Sequence, residues 1–198
     1  MRHGKAHAKV EGQQDSLRKL SPEGEEQAQI RQAEFSKKGI KFDRVYSSPF
    51  DRAVQTAQIA SAGLYSGEII QIPQLVHAGT PYEDRMNEMF KDPKVGGGVR
   101  ALAEYRENNI YWDDFMNWAF NAAFAVYQQI KNAHCENDSN VLVVGHGPLQ
   151  NAVALRFLKI LDVDYERHFD EISPVLSESQ AIVINIDCGT VTGIERIE

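Results

Sequence analysis

The sequence predicts an α/β fold, a three-layer sandwich in which helices cover both faces of a mostly parallel central sheet. Apolar runs of strand length alternate along the chain with segments of helical periodicity. The run NVLVVGH at 140–146 is apolar enough for a strand that is covered on both sides. A chain of 198 residues suits one domain, so we expect a single domain over residues 1–198.

The individual elements follow from local signals. Ser21 has the side chain of a helix N-cap, and Pro22 suits the first helical position. Gly39 ends that helix. The predicted elements are, in order, a helix over 21–38, a strand over 42–48, a helix over 49–62, a strand over 68–72, a helix over 115–130, a strand over 140–146, a helix over 149–161 and a closing hairpin over 180–197.

The least regular stretch of the sequence lies between the second strand and the long helix. We expect a lid-like insertion at about 78–112 that carries some helix. It contains three consecutive glycines at 96–98, and because no strand precedes them we interpret them as a flexible hinge rather than a phosphate cradle.

Composition excludes several classes of partner. The net charge of −7 repels nucleic acid and anionic membrane surfaces, so we expect neither as a partner. No apolar run approaches the ~18 residues of a membrane span, and no signal peptide is visible. The two cysteines, Cys135 and Cys188, fit a reducing, cytoplasmic compartment. An anionic ligand must therefore be bound by a local cluster of basic residues.

Three segments share a pattern of strand end, turn and helix, with a basic side chain at the junction: residues 1–4, 45–57 and 141–149. Ligands in open α/β sheets bind beyond the carboxyl ends of the strands. We therefore expect Arg2, His3, Arg52 and His146 to lie in one crevice. Guanidinium groups bind phosphate oxygens in pairs, and a neutral histidine nitrogen is a nucleophile. The cluster predicts phosphoryl chemistry.

The same segments carry a resemblance to a known family. Arg2-His3-Gly4, the run SSPFDRA at 47–53, GHG at 145–147 and LSPEGEEQA at 20–28 resemble the signature of the histidine phosphatase superfamily, which has the phosphoglycerate mutase-like fold. The resemblance implies that His3 becomes phosphorylated. It also implies that Arg2, Arg52, His146 and Gly4 bind the phosphate, and that neither a metal nor an organic cofactor takes part.

The sequence departs from the family pattern at the general acid. Mutases and many phosphatases of the family place a glutamate after the third strand, where this chain has His77. Glu83 and Asp84 are the nearest carboxylates, so these three residues are the candidate acids. The start RHGKA is more similar to the small bacterial phosphohistidine phosphatases, which also lack a clear acid there. Both features disfavour a mutase.

These observations lead to one expected function and two alternatives. We expect a metal-independent phosphatase that hydrolyses a phosphomonoester or a protein phosphohistidine through a phosphohistidine on His3, with a phosphorylated small molecule or phosphoprotein as partner. The alternatives are a catalytically silent phosphate-binding module and, less favoured, a mutase-type phosphotransferase. Because only Met1 precedes Arg2 and strands usually have ~5–6 residues, we also expect that most of the first strand is missing from the N-terminus.

Overall fold

The computed structural model describes residues 1–92, 100–108, 110–133, 139–187 and 190–197. Its central sheet contains β1 (Arg44–Ser47), β2 (Ile70–Gln71) and β3 (Val141–Val144). The strands lie in the order β2-β1-β3, and both pairings are parallel. The predicted parallel sheet is therefore present, with β1 at its centre.

Helices and a hairpin complete the described fold. The helices are α1 (Pro22–Lys37), α2 (Asp51–Ala60), α3 (Glu83–Lys91), α4 (Leu102–Asn108), α5 (Trp112–Asn132), α6 (Leu149–Ile160) and α7 (Phe169–Ile172). Strands β4 (Ala181–Asp187) and β5 (Thr190–Ile197) pair antiparallel, as the predicted hairpin requires. The Ser21 side chain accepts a hydrogen bond from the Gly24 N–H, which confirms the predicted start of α1.

The two faces of the sheet are covered by different helices. Adjacent residues of β1 point to opposite sides, since side chains alternate along a strand. Val45 packs with Phe35 of α1 and Ala57 of α2. Tyr46 packs instead with Trp118 of α5 and Leu155 of α6. This arrangement confirms the three-layer α/β sandwich.

The first three residues continue the sheet beside β3. The Gly145 N–H donates to the Met1 carbonyl at 3.0 Å, and the His3 N–H donates to the Gly145 carbonyl at 2.9 Å. On the other side, the Arg2 N–H donates to the Gln180 carbonyl at 2.9 Å, just before β4 begins. The backbone of His3 is therefore held next to the end of β3. The missing first strand stays a prediction.

The described part of the 78–112 segment contributes to the main core. Met86 and Met89 of α3 and Leu102 and Tyr105 of α4 are each no more than 1% exposed. The Leu102 N–H donates to the Ser173 carbonyl at 2.9 Å. The single domain and the lid stay predictions, and the glycine hinge at 96–98 and both cysteines lie outside the described residues. None of the described helices combines the length and apolar character needed to cross a bilayer.

Candidate active site

His3 has one ring nitrogen fixed by the backbone and the other available for reaction. Its Nδ1 lies 2.6 Å from the Gly4 carbonyl oxygen, which only accepts, so Nδ1 carries the proton. Nε2 therefore holds a lone pair, which accepts from Arg52 Nε at 3.1 Å. Burial foremost, with the charges of Arg52 and Arg2, lowers the pKa of His3 to about 3 even though the Gly4 bond opposes the shift. The ring is neutral at pH 7.

The glycine after His3 allows the backbone to pack against α1. A Cβ at Gly4 would lie 2.5 Å from the Gly24 carbonyl oxygen, and one at Gly24 would lie 2.0 Å from the Lys5 carbonyl oxygen. The Gly4 N–H donates to Thr56 Oγ1 at 3.0 Å. Gly4 thus orients His3 through its carbonyl while its N–H bonds within the protein. Its phosphate-binding role stays a prediction.

Arg52 lies between His3 and a carboxylate that sequence reasoning did not identify. Besides the bond to His3, its Nη1 donates to the Asp15 carbonyl at 2.7 Å and its Nη2 to Asp15 Oδ2 at 2.8 Å. Its guanidinium carbon lies 5.0 Å from the centre of the Phe50 ring. Only 7% of Arg52 is exposed, so its charge acts where solvent screens it weakly.

Asp15 lies in a short 3-10 turn that brings its carboxylate to the site. Arg18 Nη1 donates to Asp15 Oδ1 at 2.9 Å, beside the bond from Arg52. Burial raises the pKa of Asp15, but the Arg18 hydrogen bond and the charge of Arg52 outweigh it, so the net shift is downward. No motif marks this loop. Its only sequence signal is an aspartate three residues before an arginine.

Arg2 approaches the site from the opposite side. Its Nη1 donates to the Leu176 carbonyl at 2.8 Å, and its Nη2 lies 3.8 Å from a Glu178 oxygen. Its buried Nε has no hydrogen-bond partner among the described residues. One N–H of Arg2 therefore has no acceptor within the described structure, and its phosphate-binding role stays a prediction.

His146 packs directly against His3, with ring centroids 4.9 Å apart and planes inclined by 66°. Its Nε2 lies 2.7 Å from Ser48 Oγ, which already accepts from the Phe50 N–H at 3.3 Å. A Ser48 hydroxyl that donates to Nε2 leaves the proton of His146 on Nδ1. Nδ1 is buried without a partner in the described structure. Burial first, then neighbouring positive charge, lowers the pKa of His146 well below its usual value.

A cavity of about 250 Å³ opens beside this cluster. The polar side chains of its lining are those of Arg52, His146, Asp15 and His77. The rest of its lining is apolar or glycine: Phe50, Val76, Phe90, Gly147, Pro148 and Leu149. Arg52 and His146 of the predicted cluster therefore share one cavity with His77, the predicted acid position, whereas Arg2 and His3 are not among its described lining residues.

The three candidate acids lie in different surroundings. The Asn87 Oδ1 accepts from His77 Nε2 at 3.2 Å, so the buried Nδ1, which has no partner in the described ranges, holds a lone pair. Burial lowers the pKa of His77. Glu83 accepts from the Gly79 N–H at 2.6 Å at the start of α3. Within the described lining, neither Glu83 nor Asp84 reaches the cavity. All three assignments stay predictions.

The N-terminal part of the chain matches the sequence profile of a known family. Residues 1–92 match the sequence profile of the histidine phosphatase superfamily (branch 1), and these residues include His3 and Arg52. This match covers slightly less than half of the chain. It confirms the resemblance drawn from the motifs and supports a hydrolase of the phosphatase type.

The curated relatives are larger proteins. The chain is 27% identical over 159 residues to the human serine/threonine-protein phosphatase PGAM5, mitochondrial, and equally to the mouse protein. The alignment covers 80% of this chain and 49% of each relative. The chain thus spans about half the length of the curated relatives it matches.

Solved structures of the same fold cover nearly the whole chain. The protein histidine phosphatase SixA complexed with tungstate superposes with a TM-score of 0.59 at 17% identity, covering 98% of this chain and 92% of SixA. YhfR of Bacillus stearothermophilus superposes with a TM-score of 0.61 at 21% identity, covering 96% and 91%. These similarities confirm the phosphoglycerate mutase-like fold.

Metal ligation finds no support in the described residues. No group of three or more histidine, cysteine, aspartate or glutamate side chains there is arranged to hold a metal ion. The imidazoles of His3 and His146 instead pack edge to face against each other.

Proposed function

We propose that the protein is a phosphatase that hydrolyses a phosphomonoester or a protein phosphohistidine through a covalent phosphohistidine on His3. The observation that carries this proposal is the tautomer of His3. The Gly4 carbonyl holds the proton on Nδ1, so that the Nε2 lone pair faces Arg52, which is the group that would bind the phosphoryl oxygens.

The first step forms the phosphoenzyme. The Nε2 lone pair of His3 attacks phosphorus, a new N–P bond forms, and the bond from phosphorus to the leaving group breaks with its electron pair. Arg52, the free Nε–H of Arg2 and the Nδ1–H of His146 stabilise the charge on the phosphoryl oxygens. Arg52 turns its Nε–H from His3 to the phosphate for this step.

The second step regenerates the enzyme. Water attacks phosphorus, the N–P bond breaks, and its electron pair returns to Nε2 of His3. His77 accepts the proton of that water, because its Nδ1 lone pair is buried and belongs to the same cavity. Inorganic phosphate then leaves, and His77 releases the proton to solvent, which restores its neutral state.

Release of p-nitrophenol from p-nitrophenyl phosphate tests the proposal. We expect turnover by the wild type and none above background for His3→Ala, whereas His7→Ala, which changes an exposed histidine, retains wild-type activity. An acid-labile phosphate trapped on His3 is the expected intermediate. Equal background release by wild type and His3→Ala contradicts the proposal.

That comparison also separates the enzyme from a catalytically silent phosphate-binding module. One feature of the structure favours the silent module. Arg52 is paired with Asp15, and its Nε–H donates to the His3 lone pair that would attack phosphorus. A silent module binds inorganic phosphate reversibly but forms no phosphohistidine.

A second experiment identifies the acid. A panel of alkyl phosphates and a phosphohistidine protein is assayed with His77→Ala and Glu83→Gln beside the wild type. Loss confined to alkyl phosphates in one variant assigns the acid to that residue.

We further propose that no metal or organic cofactor takes part, that the partner is a phosphorylated small molecule or phosphoprotein rather than nucleic acid or membrane, and that the compartment is the cytoplasm.

A further inference from the structure

Besides its polar side chains, the active-site cavity has an apolar lining. This lining is dominated by two aromatic rings, Phe50 and Phe90, with Val76, Pro148 and Leu149. The Phe50 ring contacts His146 at a centroid distance of 5.0 Å. The Phe90 ring contacts His77 at 5.5 Å. Each ring therefore flanks a histidine that the proposed reaction uses, His146 or His77.

The cavity is unfavourable for a substrate that carries a second negative charge besides its phosphoryl group. Among the described lining residues Arg52 is the one permanent cation, and both of its terminal nitrogens already donate to Asp15. The Asp15 carboxylate would repel a carboxylate or second phosphate on the substrate. The group that carries the phosphoryl is therefore uncharged and apolar.

The size of the cavity suits a single ring. An apolar protein cavity of roughly 150 Å³ holds benzene, so about 250 Å³ leaves room for a ring and part of a phosphoryl group. Phe90 is supported from behind by the buried Tyr105, whose ring centroid lies 6.3 Å away at a near-perpendicular angle. This packing supports the Phe90 side of the cavity, and an offset or edge-on aromatic pair gains about 0.5–1.5 kcal/mol beyond the burial of its area.

We propose that Phe50 and Phe90 are specificity-determining residues that select substrates whose phosphoryl group is carried by an aromatic ring, a proposal that rests on the function proposed above. Two protein side chains share this chemistry, the phenol of tyrosine and the imidazole of histidine. Aromatic leaving groups also suit a cavity whose described carboxylate, Asp15, is bound to two arginines, since a phenol ionises near pH 10 and needs less help from an acid than an alcohol does.

Binding of two matched phosphonates tests the selectivity without any hydrolysis. Phenylphosphonate and cyclohexylphosphonate have the same anionic group and nearly the same size. By titration calorimetry we expect the wild type to bind phenylphosphonate about threefold to tenfold more tightly. Phe90→Leu should reduce that ratio to less than about twofold. Phe124→Leu, which changes a 44% exposed phenylalanine of α5, should leave it unchanged.

A ratio near one in the wild type overturns the proposal, as does an unchanged ratio in Phe90→Leu. If Phe90→Leu does not fold, Phe50→Leu serves as the second variant, and the wild-type ratio is decisive by itself. Failure of the proposed phosphatase function has a different signature: the phosphonate selectivity persists, but no ester is hydrolysed above the level of His3→Ala.

Phosphopeptides distinguish the two sources of an aromatic leaving group. Peptides that carry phosphotyrosine, phosphohistidine or phosphoserine in the same sequence are compared by kcat/KM. We expect either aromatic peptide to exceed the phosphoserine peptide by about tenfold or more, and the faster of the two identifies the natural side chain. Equal or faster hydrolysis of phosphoserine contradicts the proposal.

Discussion

The phosphate end of the cavity is built mainly by backbone geometry, whereas the leaving-group end is built by packed side chains. His3 and His146 lie at adjacent strand ends that hydrogen-bond to each other, so their positions follow from the sheet. Phe90 reaches the cavity from α3, through contacts with His77 and Tyr105. The residues proposed to bind phosphate and those proposed to select the leaving group therefore lie on different elements. We expect substitutions to change phosphate binding without changing substrate preference, and the reverse.

Loss of Arg52 should give the largest effect and should be confined to the phosphate end. Arg52→Ala removes the buried cation that contacts both His3 and the proposed phosphate position. We expect kcat/KM for p-nitrophenyl phosphate to fall by ~10²–10³-fold, while Arg167→Ala, an arginine with an 82% exposed side chain, changes nothing. A loss below tenfold would show that Arg2 and His146 hold the phosphate without it.

Methyl groups at the glycines test whether the backbone really fixes His3. Gly24→Ala places a Cβ 2.0 Å from the Lys5 carbonyl oxygen. Helix propensity alone would stabilise this change by roughly 0.5–1 kcal/mol. We expect instead a decrease of about 1–3 kcal/mol in the free energy of unfolding in urea. Gly193→Ala, whose Cβ would lie an ordinary 3.6 Å from the Asn185 side-chain nitrogen, is the control. A stabilised Gly24→Ala protein would refute the close approach.

The half-buried, neutral imidazole of His3 predicts a pH dependence of stability. The pKa is about 3 in the folded protein, whereas the unfolded value is the ordinary 6.5. Between these values the unfolded chain binds the proton that the folded protein does not, so stability falls as pH decreases from 6.5 toward 3. We expect His3 to account for about 1–2 kcal/mol of that loss between pH 7 and pH 5.

The comparison of wild type with His3→Gln isolates this contribution. Urea denaturation of both proteins at pH 7 and pH 5 should show a shallower loss for His3→Gln, because glutamine does not titrate. Parallel losses in the two proteins would mean that His3 titrates normally in the folded state and that the phosphate end is more open to water.

The smallest expected effect concerns Asp15, which lines the cavity and is paired with Arg52. Asp15→Asn removes the carboxylate charge beside Arg52 but keeps the backbone carbonyl that accepts from Nη1. We expect inorganic phosphate to bind about threefold to fivefold more tightly, since partly exposed ion pairs contribute below ~1 kcal/mol. Asp170→Asn, an exposed aspartate of α7, should bind as the wild type does. Weaker binding by Asp15→Asn would mean that Asp15 positions Arg52 rather than competing with phosphate.

Much of the fold followed from local patterns in the sequence. Ser21 and Pro22 begin α1 because their backbone preferences are local. The apolar run that becomes β3 lies in the sheet because it has no polar face to expose. The motifs around His3, Arg52 and His146 were recognisable for the same reason, since each is a short strand end followed by a turn.

Local sequence patterns could not predict the roles of Asp15 and Phe90 or the contacts of His77. Asp15 reaches Arg52 across 37 positions of sequence, and no periodicity records that contact. His77 stood out by its position, but the Asn87 bond that sets its tautomer depends on how α3 packs. The sequence by itself determined the layered fold and the basic cluster, because strand ends and turns are local. Only the tertiary structure decided protonation, ion pairing and the aromatic wall, because these depend on burial and on neighbours that are distant along the chain.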